Sequence, residues 1–251
     1  MKLSYTKPEM VPLQRTTMGL VVLKADETVE PDLRRLLPDD DLALHVSRVE
    51  SGDDLTLETI VAMRDRLYGS AALFPSAVQF DCVGYACTSA TSVLGVSEVH
   101  GLIGAGCCTN AVTEPVSALL AACSVLGVSR LAFVSPYVAP VSAALRQTLE
   151  ARGLTVAKFG AFEEQSEAAV ARISGADIIN AVSAIAGQGG VDAIFLSCTN
   201  LRTLDVIAAI EAQTGLPVLS SNQLLAWHMM QLAGCSDVKG DPSFGRLFSY
   251  R

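Results

Sequence analysis

Val83-Gly84-Tyr85-Ala86-Cys87-Thr88-Ser89 and Ile194-Phe195-Leu196-Ser197-Cys198-Thr199-Asn200 each read as a buried strand that runs into Cys-Thr, a small polar residue and a helix. They occupy equivalent places in a rhythm that covers the chain. Before and around the first lie apolar runs at Gly19–Leu23, Leu42–Val46, Gln79–Ala86 and Leu102–Gly106, separated by helical patterns at Glu30–Leu37, Leu55–Ala72 and Ser89–Leu94. The second half repeats this with strands at Arg130–Ser135, Thr155–Phe162, Ala193–Ser197 and Pro217–Ser221, and helices at Pro140–Arg152, Glu167–Ile173, Ala176–Gly187 and Leu201–Thr214. Strands alternating with helices predict an α/β fold with parallel sheets covered on both faces. Duplication of one strand–helix set predicts two similar, pseudo-twofold related lobes whose strand carboxyl ends face a shared cleft.

A lone cysteine at a strand end is ordinarily a packing residue. Two Cys-Thr sites at matching sheet edges, where α/β ligands bind, point instead to chemistry by Cys87 and Cys198. An ordinary thiol is mostly protonated at neutral pH, so a working cysteine needs a field that favours thiolate. Thr88 and Ser89, and likewise Thr199 and Asn200, are read as helix starts whose N–H groups surround each sulfur and could also bind a substrate carboxylate. Two thiols across a cleft suit one-base/one-acid work, as in racemases and isomerases. A decarboxylase needs one. A silent metabolite-binding protein needs neither in its ionised form.

Composition narrows the alternatives. The 251 residues are 50% hydrophobic, and 18 basic against 26 acidic side chains give a net charge of −8. With no Lys/Arg block, neither nucleic acid nor an anionic membrane surface is an expected partner. The N-terminal Met1–Met10 has no apolar core of a secretory leader, and the uncharged runs Cys82–Ser97, Pro115–Ser129 and Leu131–Leu145 fall short of the roughly 18 residues of a membrane span. Seven cysteines without a CxxC pair indicate a reduced, cytoplasmic compartment rather than a disulfide framework. His45, His100 and His228 lack metal-ligand spacing, and Gly104–Thr109 is an incomplete glycine fingerprint, so no metal and no nucleotide is expected. Arg202 reads as a surface ion-pair residue, and Glu163, Glu164 and Glu167 as acids suited to a helix N-terminus.

Gly19–Leu33, Gly84–Ser89, Val134–Tyr137, Ser197–Thr203 and Leu216–Trp227 also carry a family likeness. Through them the chain resembles the superfamily of maleate cis–trans isomerases, arylmalonate decarboxylases and Asp/Glu racemases. The resemblance implies a cofactor-independent enzyme of two Rossmann-like lobes, commonly a homodimer, acting on a small carboxylate with Cys87 and Cys198 as the catalytic pair. As lobes, residues 1–113 with 220–251 form the first and 114–219 the second. Thr88, Ser89, Thr199 and Asn200 match carboxylate-holding positions; Tyr137 matches a substrate-contacting tyrosine, with packing beside Pro136 as the alternative.

One position departs from the family. Where maleate isomerases read Pro-Ser-Ser-Asn-Thr-Thr-Met-Glu, this chain reads Leu23-Lys24-Ala25-Asp26-Glu27-Thr28-Val29-Glu30, with Asp26 in place of the Asn. A carboxylate there repels a dicarboxylate and favours an ammonium or amidinium group, or else simply caps the next helix. The Asp-Glu-Thr variant resembles the ectoine-utilisation branch.

Overall fold

The computed structural model describes residues 15–37, 42–54, 56–187, 189–235 and 241–250; the leader reading of Met1–Met10 and residue Leu55 lie outside these. Strands β1 (Thr16–Leu23), β2 (Leu42–Val49), β3 (Cys82–Ala86) and β4 (Val112–Thr113) form one sheet in the order β2-β1-β3-β4. The other contains β5 (Arg130–Tyr137), β6 (Thr155–Glu164), β7 (Ala193–Leu196) and β8 (Val218–Ser220) in the order β6-β5-β7-β8. Every pairing is parallel. The two orders are identical once the second sheet is renumbered, so the duplication read from the Cys-Thr stretches extends to the whole strand set. β3 and β7 are buried along their full lengths, as strands covered on both faces must be.

The helices are α1 (Val29–Leu36), α2 (Leu57–Ala62), α3 (Arg64–Ala71), α4 (Thr88–Leu94), α5 (Val96–Gly106), α6 (Pro115–Leu126), α7 (Ala139–Glu150), α8 (Glu167–Val170), α9 (Gly175–Ala186), α10 (Ile207–Thr214) and α11 (Ser221–Leu232). Among the described residues no helix is long and apolar enough to cross a membrane.

Several expected bounds are corrected. The strand expected at Leu102–Gly106 is the end of helix α5, whose buried Val99 and Ile103 stand four apart on one helical face; the fourth strand is the two-residue β4. Gly95, with φ +93°, separates α4 from α5. The single helix expected over Leu55–Ala72 breaks at Met63 into α2 and α3, and Glu167–Ile173 shrinks to the one-turn α8. Gly106 marks where α5 meets α3: a Cβ there would stand 2.7 Å from the Ala71 Cβ and 2.8 Å from the Tyr68 carbonyl oxygen. These are backbone-anchored atoms that cannot swing away. Gly106→Ala should therefore cost about 1–3 kcal/mol and lower the thermal midpoint by several degrees in a melting experiment, while a wild-type melt would show that α3 yields freely.

Helix α11 has no polar stripe to reveal it in the sequence, because nine of its residues are buried, among them Ser221, Asn222 and Gln223. It lies against β3, α1 and α6. Its N-terminal turn thereby reaches behind both Cys-Thr loops.

Candidate active site

Cys87 follows β3 and caps α4: its Sγ accepts the Ala90 N–H at 3.3 Å and lies 3.5 Å from the Ser89 hydroxyl. Cys198 follows β7 by way of Ser197 in a left-handed backbone conformation, φ +100°, uncommon for a side-chain-bearing residue. The Ser197 N–H donates to the Val134 carbonyl at 3.0 Å, and the Cys198 N–H to Ser221 Oγ at 3.1 Å. Ser221 Oγ also pairs with Thr88 Oγ1 at 2.9 Å, so one hydroxyl from α11 connects the two cysteine loops. No helix starts at Thr199 or Asn200, contrary to expectation; they form a turn, and the first helical turn comes at Leu204–Val206.

Thr199 Oγ1 donates to Asp26 Oδ2 at 2.8 Å and to the Ala86 carbonyl at 3.1 Å. Asn200 Oδ1 accepts the Glu27 N–H at 2.9 Å, and its Nδ2 donates to the backbone oxygen and to Oε2 of Glu167, each at 2.9 Å. Asp26 Oδ1 accepts the N–H groups of Thr28 and Val29, both at 2.8 Å, at the start of α1. Asp26 thus ties down the chain entering α1 through Oδ1 and links it to the second Cys-Thr loop through Oδ2. Behind these, Asn222 Nδ2 donates to Asp32 Oδ2 and to the Thr199 carbonyl, each at 2.8 Å.

Tyr137 sits at the end of β5, buried, with its backbone N–H on Ser135 Oγ at 3.1 Å. Burial holds its phenol well above the ordinary value, with the charges of Cys198 and Cys87 adding to the rise. The Tyr85 hydroxyl is buried without a hydrogen-bond partner, and burial and the charge of Cys87 hold it well above its ordinary value. The structure adds a residue that sequence reasoning set aside. Glu167 is only 4% exposed, and its charge acts on Cys87, Cys198 and Tyr137 together. Burial pushes its carboxyl up to about 7, against the Asn200 hydrogen bond and with the charge of Asp26 adding to the rise. Its weak sequence signal is an acid directly after Ser166, whose hydroxyl caps α8.

The thiols are sealed rather than open to a cleft. Cys87 is 3% and Cys198 4% exposed. Elsewhere at this site the Glu167 N–H donates to the Asp53 carbonyl at 3.0 Å, and Asp54 bridges to Ser166. A depression of about 510 Å³, lined by Asp54, Thr56, Leu57, Val138, Pro140 and Gln165 among others, adjoins that bridge. Sealing reverses the expected shift of the thiols. Burial pushes Cys87 up to about 11 despite the Ser89 and Ala90 donors, and burial followed by the Glu167 charge holds Cys198 well above the ordinary thiol value. In the unliganded protein both should be alkylated far more slowly than exposed Cys108, with about 100-fold less thiolate at Cys87 at pH 7 than in an ordinary cysteine. Peptide mapping after timed iodoacetamide exposure measures this, and modification of Cys87 ahead of Cys108 would contradict it.

Among the described residues, no group of three His, Cys, Asp or Glu side chains could hold a metal ion. His228 is a helix residue whose Nδ1 lies 2.7 Å from Thr113 Oγ1, and Arg202 is exposed.

A family model described as arylmalonate decarboxylase matches residues 18–248. The arylmalonate decarboxylase of Bordetella bronchiseptica is 31% identical over 240 residues, covering 92% of this chain and 96% of that protein. A solved maleate isomerase from Pseudomonas putida S16, a Cys-to-Ala variant with maleate, has a TM-score of 0.83 at 24% identity, over 94% of this chain and 98% of that one. A Cys-to-Ser variant of Nocardia farcinica maleate cis–trans isomerase, with a covalently bound succinylcysteine intermediate, has a TM-score of 0.78 at 25% identity, over 93% and 98% of the two chains. With its paired parallel sheets and a match running from β1 to the last helical turn, this chain belongs to the arylmalonate decarboxylase family.

Proposed function

We propose that the protein is a cofactor-independent isomerase of a small carboxylate, with Cys87 as nucleophile and Cys198 as its acid partner. The observation that carries this reading is the joining of the two Cys-Thr turns: Ser221 Oγ accepts the Cys198 N–H and pairs with Thr88 Oγ1, and Thr199 Oγ1 reaches the carbonyl of Ala86, next to Cys87. A relative's succinylcysteine adduct supports sulfur-to-carbon bonding in a site of this fold. Cys87 takes the nucleophile's role because the Ala90 N–H and the Ser89 hydroxyl approach its sulfur at 3.3 and 3.5 Å.

As thiolate, Cys87 adds through its sulfur to one carbon of a substrate double bond, and the π pair moves to the neighbouring carbon and its carboxylate. The former double bond, now single, turns. Return of the pair expels the sulfur and re-forms the double bond with no net change in protons or electrons. In a racemase variant of the same site, Cys87 removes a proton and Cys198 returns one to the other face. The side chains of Thr88, Thr199 and Asn200 are held by protein partners, so the backbone N–H groups of Thr88, Ser89 and Thr199 are what would hold the substrate carboxylate. Asp26 acts as a positioning residue through Thr199.

The second reading is decarboxylation of a malonate-like acid, favoured by the family model and the 31% identical relative. There one thiol protonates the carbanion left by CO₂. The narrower assignment to ectoine breakdown rests on Asp26-Glu27-Thr28 alone, and the relatives are by name a decarboxylase and maleate isomerases. Assembly as a homodimer, a cytoplasmic location and the division at residues 113/114 and 219/220 are further parts of the proposal.

Incubation in D₂O with small carboxylates, with and without an amino group, tests it by proton NMR. Isomerisation, or deuterium gained without loss of CO₂, is the expected result. CO₂ release from an arylmalonate selects the second reading, and no turnover of any member sinks both.

A further inference from the structure

The two Cys-Thr turns share a sequence pattern and differ in shape. Cys87 is extended, with φ −151° and ψ 107°; its N–H donates to the Tyr85 carbonyl at 3.0 Å and the chain passes directly into α4. Cys198 is left-handed at φ +100°, one of two non-glycine residues with positive φ among the described residues, and no helix follows it directly. A residue with a side chain stays in that region only where its surroundings hold it. Here the hold comes from α11. Ser221 Oγ accepts the Cys198 N–H at 3.1 Å, and the next residue, Asn222, donates to the Thr199 carbonyl at 2.8 Å.

The duplicated halves show why only one turn is held in this way. Ser221 is the first residue of the helix after the last strand of its sheet, and the matching place in the first half is Pro115, the first residue of α6. Proline brings neither a side-chain hydroxyl nor an N–H. Helix α11 also leaves β8 of the second sheet and packs on β3 of the first, so its N-terminal residue stands where the two halves meet. There Ser221 Oγ pairs with Thr88 Oγ1 at 2.9 Å, both residues being buried.

We propose that Ser221 is a positioning residue of the two-cysteine site: its hydroxyl holds Cys198 in the left-handed conformation and fixes that turn against the turn of Cys87. This rests on the reading of the two turns as the active site and adds the residue that sets one turn against the other. The angle φ fixes the direction of the Cα–Cβ bond relative to the chain, so relaxation to negative φ would carry the Cys198 sulfur away from its present line. Removing the hydroxyl takes from the Cys198 N–H and from the Thr88 side chain the partner each has here.

Timed iodoacetamide labelling of the intact protein with peptide mapping reads the turn without any substrate. In Ser221→Ala, Cys198 should be alkylated at least about tenfold faster than in wild type, as the turn opens locally. Cys82 and Cys123, buried in β3 and α6, should keep their rates, whereas a fold loosened throughout speeds all three. Ser221→Thr, which returns the hydroxyl, should restore the slow rate. In turnover, Ser221→Ala should lower kcat about 10²-fold with KM nearly unchanged, and Ser221→Thr should recover most of it. An unchanged Cys198 rate in Ser221→Ala, equal acceleration at Cys82 and Cys123, or no recovery with threonine overturns the proposal. Should Ser221→Ala not fold, hydrogen exchange of the wild type decides: the Cys198 amide should be protected at least about 10³-fold, and exchange at the free-peptide rate overturns the proposal. The two readings fail separately. Absence of turnover in wild type beside selective labelling defeats only the enzyme, and cysteine-dependent turnover beside unselective labelling defeats only the role of Ser221.

Discussion

Cys87→Ser and Cys198→Ser should each lower turnover by at least about 10³-fold, at the upper end of what a lost acid–base or nucleophilic group costs. Neither change should harm the fold. Serine is a preferred helix cap, so at position 87 its hydroxyl can accept the Ala90 N–H now received by sulfur at 3.3 Å. At position 198 the side-chain size is nearly kept, and the backbone bond to Ser221 Oγ does not involve the sulfur. Loss of activity with an unchanged thermal midpoint would therefore be a loss of chemistry, since a serine hydroxyl in so dry a place ionises far less readily than a thiol. Steady-state turnover beside a melting curve measures both. Full activity in both variants ends the two-thiol mechanism, and a loss confined to one of them shifts the balance to single-thiol decarboxylation.

Asn200→Ala should be the most damaging substitution for stability, at about 3–5 kcal/mol. The side chain serves the Glu27 N–H, the Glu167 carbonyl and the Glu167 carboxylate at once, all in the interior. Without it, the buried carboxylate of Glu167 has no donor, so its pKa rises beyond the present value of about 7. This fixes the sign of the pH dependence. A carboxyl whose folded pKa lies above its unfolded value of 4.5 contributes stability that is complete below that value and lost as pH rises through the folded pKa. Wild type and variant should therefore differ least near pH 5 and most near pH 8, where Glu167 must ionise in the wild type and resists it in the variant. Melts at the two pH values provide the comparison, and an equal deficit at both would show that the Glu167 contact is unimportant. At about 2–4 °C per kcal/mol in a chain of this size, the difference is readily measured.

The site was half legible. Cys87, Cys198 and their Thr neighbours stand out because a strand buried on both faces is a continuous apolar run, and the residues just beyond its carboxyl end necessarily emerge at a sheet edge. Tyr137 is placed by the same logic at the end of β5. Glu167 is not. Its place directly after the capping Ser166 is a weak local mark beside Glu163 and Glu164; it is buried where the Asp53–Asp54 segment meets Ser166 and Glu167, a contact between distant parts of the chain. Leu102–Gly106 was misread for a related reason: glycine and alanine weaken its helical pattern, and only packing of Gly106 on α3 shows why they are there.

Sequence alone determined that the chain is two copies of one strand–helix set with a Cys-Thr turn in each, since periodicity and strand burial are local properties written into consecutive residues. Tertiary structure alone decided the polarity of the space around the sulfurs: the left-handed turn at Cys198, the occupation of Asp26, and the burial of Glu167. Those depend on how the interior excludes water and which distant donors arrive, and a side chain's charge cannot be assigned until its surroundings are assembled.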